Sequence, residues 1–217
     1  MGVVFLIFQL ARLIVTLYFN IYHRYSVTGK EKIPKDRPVI VASNHASYLD
    51  PPLVGLAFFP GRLKFIAGDW LFKLPIFGAF LRAMGSVPVS PENKNSSASL
   101  LKMVIGFLKD GHSVFICPEG QRTTTGELLP LEGGVAILSL KTGAPIIPTW
   151  SGGTFRAFAP HMKFPRPRKL YVAFGDAIDP AALPEELDEK GRRKYILDRL
   201  DEFYKKMDEE DRKKYSR

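Results

Sequence analysis

Residues 37–52 read RPVIVASNHASYLDPP, and this stretch decides the fold. The run from Val39 to Ala42 is continuously apolar, which is typical of a strand covered on both faces of a sheet. The Asp50-Pro51 pair then predicts a helix start, because Asp favours the cap position and Pro the first turn. A buried strand that leads into a helix indicates an α/β protein, in which sites lie at the carboxyl ends of the strands.

Short apolar runs and helical patterns continue to alternate along the chain. Strands are predicted at 37–43, 63–67, 86–89, 112–117, 144–150 and 169–174. Helices are predicted at 51–58, 69–84, 96–109 and 133–142. Three of these helices stop before a glycine, at Gly85, Gly111 and Gly143. The pattern predicts an α/β fold with a largely parallel, mixed central sheet flanked by helices.

The composition fits a globular domain with an anionic partner. The 217 residues are 46% hydrophobic and 24% charged, which excludes wholesale disorder and allows one domain of ordinary size. The single cysteine excludes a disulfide framework and a cysteine-based zinc site. The formal charge of +9 points to anionic lipid or a phosphorylated substrate. Nucleic acid is not expected, because no binding module accompanies the charge.

The N-terminus predicts a membrane-associated helix. Residues 3–19 are nearly all apolar. Polar residues recur at intervals of three or four, at Gln9, Arg12, Thr16, Asn20 and His23. This spacing draws one narrow polar stripe along a helix. Because Arg12 would be costly in the bilayer centre, we expect residues 1–24 to lie in the membrane interface. A single span and a helix packed on the core are the alternatives.

The C-terminal tail carries many charged residues, but its net charge is zero. Residues 181–217 hold 11 Lys+Arg and 11 Asp+Glu, so the whole net charge falls on the first 180 residues. Apolar residues recur at helical spacing, at Ile196, Leu197, Leu200, Phe203, Tyr204 and Met207. We expect three regions: the membrane-associated helix 1–24, one domain at 25–180, and a C-terminal amphipathic helix at 181–217 packed on that domain.

His45 and Asp50 are the candidate catalytic residues. His45 follows the predicted strand 37–43, and the turn into the next helix can bring the Asp50 carboxylate back to the imidazole. A carboxylate on one ring nitrogen fixes the tautomer and leaves the other nitrogen to take a proton. The pair therefore predicts a general base that activates a hydroxyl group. The alternative is that Asp50 only caps the helix and His45 is a polar loop residue.

Two further elements accompany the pair. Residues 117–123 (CPEGQRT) follow another apolar strand and offer Glu119 and Arg122 beside Gly120, where a backbone can approach a ligand. Residues 144–148 (APIIP) form a predicted strand with two prolines. Cys117 ends its strand and is expected to be a core thiol, and the sequence has no G-x-S-x-G nucleophile motif. No set of ligands has the spacing of a metal site.

These elements, in this order, resemble the glycerolipid H-x4-D acyltransferases, typified by 1-acylglycerol-3-phosphate acyltransferases. The resemblance covers residues 25–180, and the matching positions are Asn44, His45, Ser47, Asp50, Pro118, Glu119, Gly120, Arg122, Pro145, Ile146 and Pro148. It implies acyl transfer from acyl-CoA or acyl carrier protein to a lysophospholipid hydroxyl, at the cytoplasmic face of a membrane and without a cofactor. His45 would be the base and Asp50 its orienting group. The implied substrate-binding residues are Asn44, Ser47, Glu119, Gly120 and Arg122.

Three positions depart from the family pattern. Pro88 stands where the family has phenylalanine, Pro91 where it has arginine, and Gly68 where many members have lysine. The two basic positions are those that help to hold the acceptor's phosphate. Possible substitutes are Lys64, Lys73, Arg82 and Arg122. The acceptor is expected to be 1-acylglycerol-3-phosphate, which gives phosphatidic acid; another lysolipid, an acceptor without a phosphate monoester, a silent lipid-binding module and a lipid esterase are the alternatives.

Residues 155–169 (FRAFAPHMKFPRPRK) interleave aromatic and basic side chains. They are expected to form either a basic surface loop or a loop that faces anionic lipid headgroups.

Overall fold

A computed structural model describes residues 9, 13–58, 63–73, 78, 81–82, 86–89 and 96–215. Within these residues the strands are β1 (Ser26–Thr28), β2 (Ile40–Ser43), β3 (Leu63–Gly68), β4 (Val87–Val89), β5 (Ser113–Ile116), β6 (Ile146–Gly152) and β7 (Tyr171–Phe174). They form one sheet in the order β1-β7-β6-β2-β5-β3-β4. All neighbours are parallel except β6 and β7, which are antiparallel. The predicted largely parallel, mixed sheet is confirmed.

Strand β2 lies at the centre of the sheet. Val41 is in register with Phe115 of β5 on one side and with Ile147 of β6 on the other. All four residues of β2 are buried, because helices cover both faces of the sheet. The carboxyl ends of β2, β5 and β6 therefore meet along one edge.

The helices are α1 (Asp50–Phe58), α2 (Asp69–Phe72), α3 (Ser96–Lys109), α4 (Gly134–Thr142), α5 (Thr154–Phe158) and α6 (Glu189–Tyr215). Short 3-10 turns occupy Lys30–Lys32 and Pro180–Ala182. The two faces of the sheet carry separate cores because successive strand residues point to opposite sides. Ile40 packs with residues of α3, α4 and α6, whereas Val41 packs with residues of α1.

Most of the predicted helices and strands occur where expected. Helices α3 and α4 are followed by Gly111 (φ 80°) and Gly143 (φ 72°), whose left-handed backbone closes each helix. In the predicted helix 69–84, α2 ends at Phe72, residues 78, 81 and 82 are helical, and the rest lies outside the described residues, as do Gly85 and Pro91. The expectation of a loop over 155–169 is wrong for its first residues, which belong to α5.

Helix α6 packs on the same body as the sheet. Ile196, Leu200, Tyr204 and Met207 are buried in the core that also contains Trp150 of β6. Helix α6 thus buries the apolar side of the tail in the core beside the sheet.

The described part of the N-terminal segment has two faces. Residues 13–17 are helical and continue into a π-helical turn at Tyr18–Tyr22. Phe19 and His23 are buried, which removes His23 from the predicted polar stripe. Leu13, Ile14, Leu17 and Ile21 are exposed and are called the apolar face below. Residues 1–8 and 10–12 lie outside the described part of the chain. No helix within that part combines the length and the apolar character needed to cross a bilayer.

Candidate active site

His45 and Asp50 meet in the loop between β2 and α1, which is called the His45 loop (residues 44–49). The Nδ1–H of His45 donates to Oδ2 of Asp50 over 3.1 Å. The same oxygen accepts the backbone N–H groups of Ala46 at 2.8 Å and Ser47 at 2.7 Å. Asp50 is fully buried, while the side chain of His45 is 20% exposed. The proton held on Nδ1 leaves Nε2 to accept one from a substrate.

Glu119 connects the His45 loop to the Glu119 turn (residues 117–123), which follows β5. Its Oε1 accepts the backbone N–H of His45 at 2.7 Å, and its Oε2 accepts that of Leu129 at 2.9 Å. The backbone N–H of Thr123 donates back to the His45 carbonyl at 3.0 Å. Burial raises the pKa of Glu119, and the two backbone N–H groups act in the opposite direction. Both carboxylate oxygens are thus engaged by the protein's own backbone.

The polar side-chain atoms of Asn44 and Ser47 also form hydrogen bonds within the protein. The Oδ1 of Asn44 accepts the backbone N–H of Ser151 at 2.7 Å, which ties the His45 loop to β6. The hydroxyl of Ser47 donates to the Phe158 carbonyl at 2.6 Å and accepts the backbone N–H of Leu49 at 3.1 Å. Both side chains are buried. These contacts hold the loop in shape.

Gly120 and Arg122 lie in the Glu119 turn, next to the His45 loop. Gly120 has φ 70°, and a side chain there would bring its Cβ within 2.4 Å of Oε1 of Glu132. Only glycine fits this turn without strain. The guanidinium carbon of Arg122 lies 3.6 Å from the ring centroid of Tyr48, a residue of the His45 loop. The stacking places a cation against a residue of the His45 loop.

The thiol of Cys117 is poorly suited to nucleophilic attack. Burial raises the pKa of Cys117 well above its usual value, and the charges of Asp50 and Glu119 act in the same direction. Since the thiolate is the reactive form, these surroundings favour an inert thiol.

His45 lines a pocket of about 270 Å³. Other walls of the pocket come from Glu119, from residues 123–128, from β6 and from α5. The last turns of α6 close it with Asp208, Asp211 and Arg212. The sequence did not predict that α6 lines the pocket. Helical periodicity predicts which face of α6 is buried, but it does not predict what the polar residues at the end of that helix contact. No cluster of His, Cys, Asp and Glu in the described part of the chain could hold a metal ion.

Comparison with known proteins agrees with this geometry. A model of the acyltransferase family matches residues 24–152, which contain both the His45 loop and the Glu119 turn. The chain belongs to the acyltransferase family. The predicted resemblance to 1-acylglycerol-3-phosphate acyltransferases is confirmed by its relatives.

One relative is the chloroplastic 1-acyl-sn-glycerol-3-phosphate acyltransferase BAT2 of Brassica napus, 32% identical over 146 residues. That alignment covers 67% of this chain and 42% of the relative. The 1-acyl-sn-glycerol-3-phosphate acyltransferase of Borreliella burgdorferi is 30% identical over 159 residues, which is 73% of this chain and 63% of the relative. The chain thus spans about two fifths of the plant relative and under two thirds of the bacterial one.

A solved structure shares the fold. The crystal structure of a 1-acyl-sn-glycerophosphate (LPA) acyltransferase from Thermotoga maritima superposes with a TM-score of 0.75 at 29% identity. The match covers 96% of this chain and 79% of that one. The α/β architecture, including the C-terminal part of the chain, is therefore that of an acyltransferase with a known structure.

Proposed function

We propose that the protein transfers a fatty acyl group from an acyl thioester to the free hydroxyl of a lysophospholipid. The favoured acceptor is 1-acylglycerol-3-phosphate, and the product is then phosphatidic acid. The observation that carries the proposal is the contact of His45 Nδ1 with Asp50 Oδ2 at 3.1 Å, with the imidazole lining a pocket. Relatives named as 1-acyl-sn-glycerol-3-phosphate acyltransferases support the choice of acceptor.

In the proposed reaction, Nε2 of His45 removes the proton of the acceptor hydroxyl as the oxygen attacks the thioester carbonyl. A carbon–oxygen bond forms, the carbon–sulfur bond breaks, and the imidazolium returns its proton to the departing thiolate. Asp50 orients the imidazole and stabilises its charged form, as the carboxylate of a hydrolase triad does, but with no serine. General base catalysis of this kind contributes roughly 10²–10⁴-fold to the rate.

The donor is either acyl-CoA or acyl carrier protein, and the chemistry needs no cofactor or metal. We assign acceptor contact to Gly120 and Arg122, because Arg122 stacks beside the His45 loop. Asn44, Ser47 and Glu119, the other residues predicted to bind substrate, hold the shape of that loop, since their polar atoms bond to the backbone of Ser151, Phe158 and His45.

We also propose that the protein works at the cytoplasmic face of a membrane, with its N-terminal helix in the interface in preference to a single span. The apolar face lies beside the basic segment 163–169, because the Tyr22 hydroxyl donates to the Pro165 carbonyl at 3.0 Å. Phe164 is 79% exposed there, among the exposed cations Lys163, Arg166 and Arg168. Exposed apolar groups flanked by cations are suited to a surface of anionic lipids.

The experiment is thiol release from palmitoyl- and oleoyl-CoA by the purified protein over a panel of acceptors. Release should require 1-acylglycerol-3-phosphate and fall by about 10²–10⁴-fold in His45→Ala and in Asp50→Asn. His112→Ala is the matched control, because His112 is exposed and lies before β5, away from the carboxyl ends of the strands.

Each alternative has its own outcome. Release with a different lysolipid would change the acceptor and keep the chemistry. Free fatty acid formed without an acceptor would indicate an esterase. Absence of turnover with every acceptor and with both types of donor would leave a lipid-binding module.

A further inference from the structure

We propose that Arg156 of α5 binds the phosphate of the acceptor, and that Asp211 of α6 occupies Arg156 until the acceptor arrives. The inference rests on the proposed function, because it names the group that recognises the acceptor's anionic end. It makes the last turns of α6 part of the specificity of the enzyme.

The cations that line the pocket are the groups available to bind a phosphate. Apart from His45, the basic residues that line it in the described part of the chain are Arg156 and Arg212. Both are outside the sequence motifs. Glu119, Glu127, Asp208 and Asp211 also line the pocket, so a phosphate would bind there only through Arg156 or Arg212.

The cations considered from sequence alone lie outside the lining of this pocket. Lys73 lies 3.9 Å from the Asp69 carboxylate, and Arg82 donates to the Phe72 carbonyl at 2.8 Å. Lys64 lies over the ring of Phe107, and Arg122 over that of Tyr48. None of these four lines the pocket that contains His45. Arg122 stays a proposed acceptor contact on the Glu119 turn, whereas Arg156 lines the pocket itself.

Arg156 is paired with a carboxylate of α6. Its Nη2 forms an ion pair with Oδ2 of Asp211 and lies 3.4 Å from the Asp211 carbonyl. The side chain of Asp211 is 12% exposed, and that of Arg156 is 37% exposed. Both side chains line the pocket, and that of Arg156 is the more exposed of the two.

The enclosed carboxylate is a replaceable partner. Burial raises the pKa of Asp211, an effect strengthened by Asp208 and opposed by Arg156, Tyr171 and Lys214. A phosphate monoester carries more charge than a carboxylate and accepts a bidentate pair from guanidinium. An incoming phosphate can therefore compete for Arg156, and Tyr171 and Lys214 remain as partners of the displaced Asp211 carboxylate.

The acceptor carries its reacting hydroxyl close to its phosphate. In 1-acylglycerol-3-phosphate the reacting hydroxyl and the phosphate are carried on adjacent carbons of one glycerol. The base and the phosphate anchor must therefore face the same small pocket. His45 and Arg156 both line the pocket of about 270 Å³. Arg212, whose Nε donates to Asp208 at 2.9 Å, borders the same wall.

The test compares Arg156→Gln and Asp211→Asn with the wild type, using steady-state kinetics with 1-oleoylglycerol-3-phosphate and palmitoyl-CoA. Arg156→Gln should raise the acceptor KM roughly 10- to 100-fold, the range of one charge-assisted hydrogen bond. The KM for palmitoyl-CoA should be unchanged. Asp211→Asn should lower the acceptor KM, since the neutral amide competes less for Arg156. Arg193→Gln removes an ion pair with Glu189 in the first turn of α6 and is the matched control.

A second measurement is independent of turnover. sn-Glycerol 3-phosphate should raise the Tm of the wild type and of the inactive His45→Ala protein, and should raise that of Arg156→Gln less. An unchanged acceptor KM in an active Arg156→Gln enzyme would overturn the inference and leave the proposed function intact. So would a higher acceptor KM in Asp211→Asn, or an equal rise of both KM values with a lower Tm, because the pair would then only support the wall. A wild type with no acyl transfer to this acceptor would overturn the proposed function itself.

Discussion

The buried carboxylate of Glu119 accepts the backbone N–H of His45 over 2.7 Å. This bond crosses between the loops that follow β2 and β5, two neighbouring parallel strands. The imidazole is therefore positioned twice, through its ring by Asp50 and through its backbone by Glu119. The contact explains why a glutamate accompanies the H-x4-D element in this chain.

Glu119→Gln should lower kcat and leave the acceptor KM nearly unchanged, because the amide has one acceptor oxygen for the two backbone N–H groups. Glu119→Ala leaves both donors without this partner, at a cost of about 1–3 kcal/mol for each buried donor. The free energy of unfolding from urea denaturation and the steady-state constants measure the two effects. Glu185→Gln, at an exposed site, is the control. A rise in acceptor KM with kcat unchanged would show that Glu119 contacts the acceptor directly.

Cys117→Ala should retain acyl transfer. Burial raises the pKa of this thiol, so little thiolate forms near neutral pH, and the direct-transfer mechanism does not use it. Initial rates of thiol release from acyl-CoA measure the result beside wild type. If the folded Cys117→Ala protein lost as much activity as His45→Ala, the reaction would have to pass through a thioester on the enzyme.

Polar substitutions on the apolar face should weaken membrane binding. Leu17→Gln with Ile21→Gln removes apolar side chains that would each contribute up to about 1.5–3 kcal/mol on full burial in lipid. Sedimentation with vesicles that contain anionic lipid measures the bound fraction. These variants test membrane binding more specifically than removal of residues 1–24. That removal would also delete Phe19 and His23, which are buried in the folded body. Tyr195→Gln, an exposed aromatic site on α6, is the control, and equal binding of both variants would contradict membrane insertion of this face.

His23 should make the fold sensitive to acid. Its Nδ1–H donates to the Arg168 carbonyl at 2.9 Å, and its Nε2 accepts the Tyr18 hydroxyl at 3.0 Å. Burial lowers the pKa of His23, and the bond to Arg168 opposes this only in part. Because the folded state binds the proton less readily than the unfolded state, the free energy of unfolding should fall as pH drops below about 6.5.

Urea denaturation between pH 5 and pH 8 tests this dependence. The decrease toward acid should be smaller in His23→Gln than in the wild type, and unchanged in His112→Gln, whose histidine is exposed. Coincident slopes for wild type and His23→Gln would assign the acid sensitivity to other groups.

Local sequence determined much of this protein. The apolar run of β2, the Asp-Pro start of α1 and the five-residue separation of His45 from Asp50 lie within one stretch, so their geometry follows from a single turn. Long periodic segments such as α3 and α6 were equally predictable from sequence, because many of their apolar residues recur on one face of the helix. Strand β1 and helix α5, with three and five residues, are too short for such a signal.

Tertiary structure decided which polar groups meet. Glu119 lies 74 residues from His45, Asp211 lies 55 from Arg156, and Arg168 lies 145 from His23. The contact of Glu119 with His45 depends on the order of the strands, which places β5 beside β2 although β3 and β4 intervene in the sequence. Periodicity specifies the face that a segment buries, but it carries no information about the partner segment. The His45–Asp50 pair was therefore visible in the sequence, whereas the bond from the His45 backbone to Glu119 and the contribution of α6 to the pocket were visible only in the fold.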